Sequence, residues 1–402
     1  MSEKTKKIFN IFIHSITKPP HLAILFRDIK KNIAHSVQSD DTHLQETINW
    51  LSRSQDVTGG KGCAGIYSFE KGWHPPYPET TGYIISTFLD YAKLTNKEEY
   101  VNRARTLGDW ETDIQFSSGA IRGGVGINSY PIVFNTGQVI LGWTSLYEFT
   151  KDEKYLHATT KASDWLLEIQ DDDGKWSRHT YNNIPHAYNI RVAWSLLKTF
   201  AITDNPKLLK AAEKNIRWVL AQSNKNGWIH HMGFTTDKNP LTHTIAYTLR
   251  GLLECSFYVE TNLRNDILNL VINASNAILS TYSDVKLNRK THFLPGTFDS
   301  NWNPTSNYSC LTGNAQMAII WMMLYRLTGK IIYRNTAFEM IDQLKATQNL
   351  TTNNKGIRGG IAGSFPIWGG YVPFAYPNWA AKFFADSIIL KTKTLLSLND
   401  NH

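Results

Sequence analysis

The chain has 402 residues, 42% of them hydrophobic and 19% charged, with 13 Trp and a formal net charge of +8. That composition supports a large buried core and excludes an intrinsically disordered chain. Residues 1–33 hold seven Lys/Arg against Glu3 and Asp28, so +5 of the charge lies there and the rest is too weakly basic for a nucleic-acid-binding surface. Cys63, Cys255 and Cys310 are few, odd in number and far apart, which fits a reducing compartment better than a disulfide framework. The early apolar stretch is broken by Asn10, His14 and Lys18, so no signal peptide is readable, and nothing approaches a membrane span. A cytoplasmic location is expected.

In chain order, residues 1–37 form a basic amphipathic arm, with Ile8, Phe9, Ile11, Phe12 and Ile16 among lysines. Such an arm suits packing on the body, or peripheral contact of residues 1–33 with an anionic membrane. Residues 38–402 read as one domain built from a repeat. Amphipathic helices are expected over 41–55, 97–115, 152–170, 206–222, 262–281 and 331–348. They alternate with segments that are apolar nearly all round and therefore buried. These open at Pro78-Glu79-Thr80-Thr81-Gly82, Phe134-Asn135-Thr136-Gly137-Gln138, Pro185-His186, Leu241-Thr242-His243, Leu311-Thr312-Gly313-Asn314 and Tyr376-Pro377-Asn378-Trp379. A period of about 50–60 residues with alternating buried and amphipathic helices predicts two concentric rings. The fold class is all-α, an (α/α)6 toroid of six helical hairpins with short β-like loops on the functional face.

Several of the amphipathic helices end in a glutamine followed by a glycine turn. The runs are Gln115-Phe116-Ser117-Ser118-Gly119, Gln170-Asp171-Asp172-Asp173-Gly174-Lys175-Trp176 and, more loosely, Gln222 to Trp228. They resemble the QxxxGxW signature of α/α-toroid proteins such as terpenoid cyclases and prenyltransferase β subunits. The repeat count and aromatic loops are also similar to six-hairpin glycosidases, polysaccharide lyases and uronosyl epimerases. Pro78-Glu79-Thr80-Thr81-Gly82-Tyr83 resembles toroid proteins of bacterial exopolysaccharide clusters. The resemblance covers about residues 40–395 and implies a carbohydrate-active enzyme. The DxDD motif of the cyclases is absent.

In such a toroid the leading ends of the inner helices converge, so residues remote in sequence become neighbours. The candidate catalytic residues are His186, Tyr188, Arg191, His243 and Glu79. Candidate substrate contacts are Asn135, Asn189, Arg122, His230, Asp299, Trp302, Asn314, Arg358, Trp368, Tyr376 and Trp379. Elimination on a uronate needs a group to neutralise the carboxylate (Arg191 with Asn189 or Asn135). It also needs a base (His186 or His243) and an acid for the leaving oxygen (Tyr188). C5 epimerisation requires nearly the same set, and the residues leave these two open. Glycoside hydrolysis would pair Glu79 with Asp299. A purely structural segment, with His186 capping the helix, Tyr188 packing and Arg191 paired with a loop acid, is the alternative for that stretch. A non-catalytic glycan-binding component of a synthase complex fits if the inward residues are mostly aromatic and amide without a matched acid and base. An oligo- or polysaccharide is the expected partner, with no nucleic acid, no cofactor and no metal site.

Overall fold

The computed structural model describes residues 13, 18–30, 37–288 and 293–399. Most of the basic arm, residues 1–12, 14–17 and 31–36, lies outside the described residues, and with it most of the stretch expected to suit membrane contact. The part that is described, helix α1 (Pro19–Ile29), packs on the body through the buried Ile24 and Leu25. Arg27 Nη1 donates to the Thr347 carbonyl at 2.6 Å, and the Asp28 carboxylate accepts the Ile367 N–H at 2.7 Å. Phe26 and Ile29 remain 54% and 55% exposed.

The outer ring comprises α2 (Asp40–Asp56), α4 (Glu98–Ile114), α6 (Glu153–Glu168), α8 (Pro206–Ala221), α10 (Thr261–Asn288) and α12 (Ile331–Thr347). The inner ring comprises α3 (Pro78–Thr95), α5 (Val133–Thr150), α7 (Ile190–Thr203), α9 (Thr242–Cys255), α11 (Leu311–Thr328) and α13 (Asn378–Asn399). Each inner helix packs on the next in chain order, and α13 returns to α3, which closes the ring. The chain therefore has the (α/α)6 toroid fold. Helix α10 runs past the expected end at 281 because Tyr282 keeps the apolar period going, its ring tilted against Trp321 at 6.0 Å. Helix α7 starts later than its Pro185-His186 opening. Ala187–Asn189 form a 3-10 turn first, held where Ala187 N–H donates to the His231 carbonyl at 2.8 Å.

Sequence explains the two kinds of connection. Inner helices pass to outer ones through two-residue turns at Asn96-Lys97, Lys151-Asp152, Asp204-Asn205 and Gly329-Lys330. The first residue of each turn is left-handed, with φ of 54°, 57°, 52° and 69°. Outer-to-inner connections are long and gather on the opposite face. Two small sheets tie them together: β1 (Ile66–Ser68) pairs antiparallel with β2 (Gly72–Trp73) and β5 (Ala375–Pro377), and β3 (Ser309–Cys310) with β4 (Ser364–Phe365). The first and last long loops are thus one structure.

The glutamine–glycine repeat is a staple. Gln115 Nε2 donates to the Gly119 carbonyl at 2.8 Å and to Ala158 of the next outer helix at 3.1 Å. Gln170 does the same with Gly174 at 2.9 Å and Ala211 at 3.0 Å. The looser Gln222 reaches only Trp218 of its own helix. Inner helices approach closely where glycine permits. A Cβ added at Gly82 would stand 2.6 Å from Val139 Cα, and one at Gly142 2.2 Å from the Gly82 carbonyl oxygen.

Candidate active site

A cavity of about 330 Å3 opens among the leading ends of the inner helices. Five of these helices, or the turns that lead into them, supply wall residues: Glu79, Asn135, Tyr188, His243 and Trp379. The sixth, α11, acts indirectly, since Gln316 Oε1 bonds His243 Nδ1 at 2.8 Å. The long loops close the walls with Tyr77, Gly124, Tyr130, Tyr181, Phe234 and Tyr371, and Tyr247 lies one turn below His243. The lining is mostly aromatic with few polar groups, the usual make-up of a small-ligand site.

Glu79 is the second residue of α3, placed there by Pro78, whose fixed φ starts the helix. Its exposed surface faces the cavity while protein surrounds it, and this burial raises its carboxyl to about 7. The Tyr77 hydroxyl, donating to Oε2, and the Arg191 charge pull the other way and lose. His243 is driven to about 3, first by burial and then by Arg191. At neutral pH the imidazole is therefore uncharged. With Gln316 accepting from Nδ1–H, the Nε2 lone pair is left on the cavity side. The Tyr77, Tyr188 and Tyr371 phenols are pushed well up by burial and keep their protons.

Arg191 is buried just beneath this floor and does not line the cavity. Its Nε donates to Gln138 Oε1 at 2.8 Å, and its guanidinium lies 4.9 Å from the Tyr247 ring centre. No carboxylate lies within ion-pair distance of it among the described residues. His186 stands behind Tyr188, stacked on it at 4.5 Å. Its two ring nitrogens face the carbonyls of Gly233 (2.9 Å) and Tyr181 (2.7 Å), so it has no free lone pair toward the cavity. Asn189 is buried beside Arg191 in sequence, outside the cavity lining, and neither side-chain polar atom has a partner. Asn135 lines the cavity, with one of its two amide N–H groups donated to the Arg122 carbonyl at 2.8 Å. That leaves one N–H and the amide oxygen, which suit a sugar hydroxyl, while an uncharged amide does not neutralise a carboxylate.

The other candidates are placed elsewhere. Arg122 braces its own loop, donating to Ile114 and Asn128 and lying 4.2 Å from the Phe116 ring centre. Asn314 ties Cys310 to Leu294. Arg358 makes a two-pronged bond to Glu46 at the surface. Tyr376 sits inside the small sheet, and Trp368 packs half-buried against the core. Asp299, with His230, lines a separate groove on the far side of the 229–240 segment. The Asp299 carboxylate accepts the N–H groups of Asn301 and Asn303 at 2.9 Å, and Trp302 packs edge-on against Trp228 at 5.0 Å. The Glu79–Asp299 pair is thus not assembled in one cavity; Glu79 is the carboxyl in the lining of its own. Trp379 remains in place, its Nε1 donating to the Tyr371 hydroxyl at 2.7 Å.

Sequence reasoning passed over Tyr77, Tyr130, Phe134, Tyr181 and Phe234 as wall residues. Phe134 and Tyr77 adjoin helix starts already marked, whereas Tyr181 and Phe234 sit in loops without any period. Among the described residues no group of three or more His, Cys, Asp or Glu could hold a metal. Cys310, near His243, is buried, and burial raises its thiol to about 12. No helix of the described residues is long and apolar enough to cross a membrane.

No family model and no curated protein matches the chain. Solved structures do. One titled as an unsaturated glucuronyl hydrolase specific for heparin aligns at TM-score 0.68 and 12% identity, over 89% of this chain and 99% of its own. The likeness is one of fold. A polysaccharide lyase aligns at TM-score 0.64 and 12% identity, over 90% and 99% of the two chains. A D-mannose isomerase aligns at 0.66 and 13%, over 88% and 97%.

Proposed function

We propose that this toroid is a carbohydrate-active enzyme that moves a proton at the carbon beside the carboxylate of an acidic sugar, by C5-epimerase chemistry. One observation carries this reading: Glu79 and His243 line one cavity from α3 and α9, which stand opposite each other in the six-membered inner ring. A carboxyl near 7 and a neutral imidazole on facing walls suit removal of a proton from one face and its return to the other. The unpaired Arg191 charge beneath the floor favours an anionic ligand and the enolate-like charge that develops on it. Asn135 and the aromatic walls suit sugar hydroxyls and ring faces. A cavity of about 330 Å3 encloses a sugar unit or chain end better than a run of sugars.

Tyr188 supports a second reading. A buried phenol that keeps its proton on the same wall could donate it to a leaving oxygen, which would make the reaction a β-elimination. The folds of the hydrolase, lyase and isomerase neighbours are compatible with both. A panel of uronate oligosaccharides in deuterated water separates the outcomes. Deuterium at C5 without new ultraviolet absorbance supports the epimerase, and unsaturated-uronate absorbance supports the lyase. Release of reducing ends with neither signal would sink both in favour of hydrolysis. Full activity of Glu79→Gln and His243→Gln would remove the site assignment.

A further inference from the structure

At the mouth of the cavity the lining changes character. Tyr130 and Tyr181 keep 51% and 54% of their surface exposed, whereas the other lining residues are buried or partly buried. Both tyrosines sit on outer-to-inner loops, and those two loops are joined where Val133 N–H donates to the His179 carbonyl at 2.8 Å.

Each ring is held in place. The Tyr130 carbonyl accepts the Gly123 N–H at 2.9 Å, and the edge of its ring fills the space where a side chain at 123 would go: a Cβ there would stand 2.4 Å from Tyr130 Cε2. Gly124, at a φ of 69°, completes the bend as glycine can. Tyr181 heads the 3-10 turn Tyr181–Asn183, and its ring leans on Phe234 at 5.4 Å. Asn182 Nδ2 donates to the Phe234 carbonyl at 3.1 Å, which ties the two loops together. The His186 ring, wedged between the Tyr181 and Gly233 carbonyls, braces them from behind. A single exposed tyrosine is ordinary. Two braced ones that also wall a ligand cavity offer rigid contact surface at little entropic cost.

We propose that Tyr130 and Tyr181 form a second subsite, which stacks an uncharged sugar ring joined to the acidic sugar inside. The ligand is then the end of a chain in which a uronate is linked to a neutral sugar, and not a free uronic acid. This rests on the reading of the cavity as an acidic-sugar site. The cavity encloses about one unit, so the next unit of a chain lies at the mouth. No Lys or Arg belongs to the lining, so the mouth recognises a ring face and a hydroxyl pattern, not a second carboxylate.

The test is calorimetric titration of the full-length protein carrying Glu79→Gln, so that turnover does not interfere. The probes are glucuronic, galacturonic and mannuronic acids, each free, linked to glucose, and as the octyl glycoside. For at least one acid the glucose-linked form should bind about tenfold tighter than the free acid. Tyr130→Ala and Tyr181→Ala should each remove most of that gain and leave the free acid unchanged, while the Phe variants keep it. Both side chains are exposed, so the fold should survive, as circular dichroism would show. Equal binding of free and linked acids would overturn the subsite and leave the cavity reading standing. Alanine variants that keep the gain, or that weaken the free acid as much, would also overturn it. So would an octyl glycoside that matches the gain through the same tyrosines, since the mouth would then take an apolar tail beside Val125 and Ile127. Binding of none of the probes would sink the cavity reading together with the subsite.

Discussion

The two titrating walls of the cavity should leave opposite marks on stability. Glu79 is raised from 4.5 to about 7, chiefly by burial, so the fold prefers it protonated. Its contribution is fully present below pH 4.5 and is lost as pH rises through 7. At about 1.4 kcal/mol per pH unit for one proton, the loss is about 3 kcal/mol. His243 is lowered from 6.5 to about 3, also chiefly by burial, so the fold prefers it neutral. Its contribution is present above pH 6.5 and is lost as pH falls through 3, about 5 kcal/mol in all by the same conversion. Between pH 4.5 and 6.5 the two slopes cancel in the parent protein, and single variants expose them. The unfolding free energy of Glu79→Gln minus that of the parent should climb by about 3 kcal/mol between pH 4.5 and 7, then level off. The same difference for His243→Gln should climb in the acid direction, starting below pH 6.5. Other titrating groups are shared by variant and parent and drop out. Chemical denaturation followed by Trp fluorescence across this range measures both. Differences that stay flat with pH would refute the assignment of buried, oppositely shifted groups.

Other variants separate site from scaffold. Glu79→Gln or His243→Gln should lower kcat by about 10²- to 10⁴-fold on a competent uronate substrate, the usual share of one acid or base. Arg358→Ala should leave turnover unchanged and stability within about 1 kcal/mol in denaturant titration, because its pair with Glu46 is exposed on the Arg358 side. Gln170→Ala removes both arms of a staple, while the Gly174 carbonyl keeps the Asn215 amide at 2.8 Å; a loss of about 1–3 kcal/mol in the same assay is expected for the two hydrogen bonds. Gly82→Ala forces a methyl onto the backbone of α5, and a loss of about 1–3 kcal/mol or failure to fold should follow, read by circular dichroism.

The rings were legible because helix periodicity is local: buried and amphipathic segments alternate, and the Gln–Gly repeat marks outer-helix ends. The site was legible only where it sits on helix starts. Glu79, Asn135, Tyr188, His243 and Trp379 were reachable in this way, since hairpin closure brings those ends together. The loop candidates were not, because a loop residue's direction depends on hydrogen bonds made with distant segments. Arg358 turned outward to Glu46 and Arg122 turned back on its own loop for that reason. His186 and Tyr188 looked equivalent in sequence. The 3-10 turn at Ala187–Asn189 separates them, sending the phenol to the cavity and the imidazole behind it.

The most direct test of the central claim is a crystal structure of the protein with a uronic acid or its chain-end oligosaccharide bound. The sugar should lie inside the aromatic cavity, with Glu79 Oε1 and His243 Nε2 approaching the C5 carbon from opposite faces. A sugar seated instead in the groove of Asp299 and His230, or one with Glu79 and His243 on the same face, would contradict it.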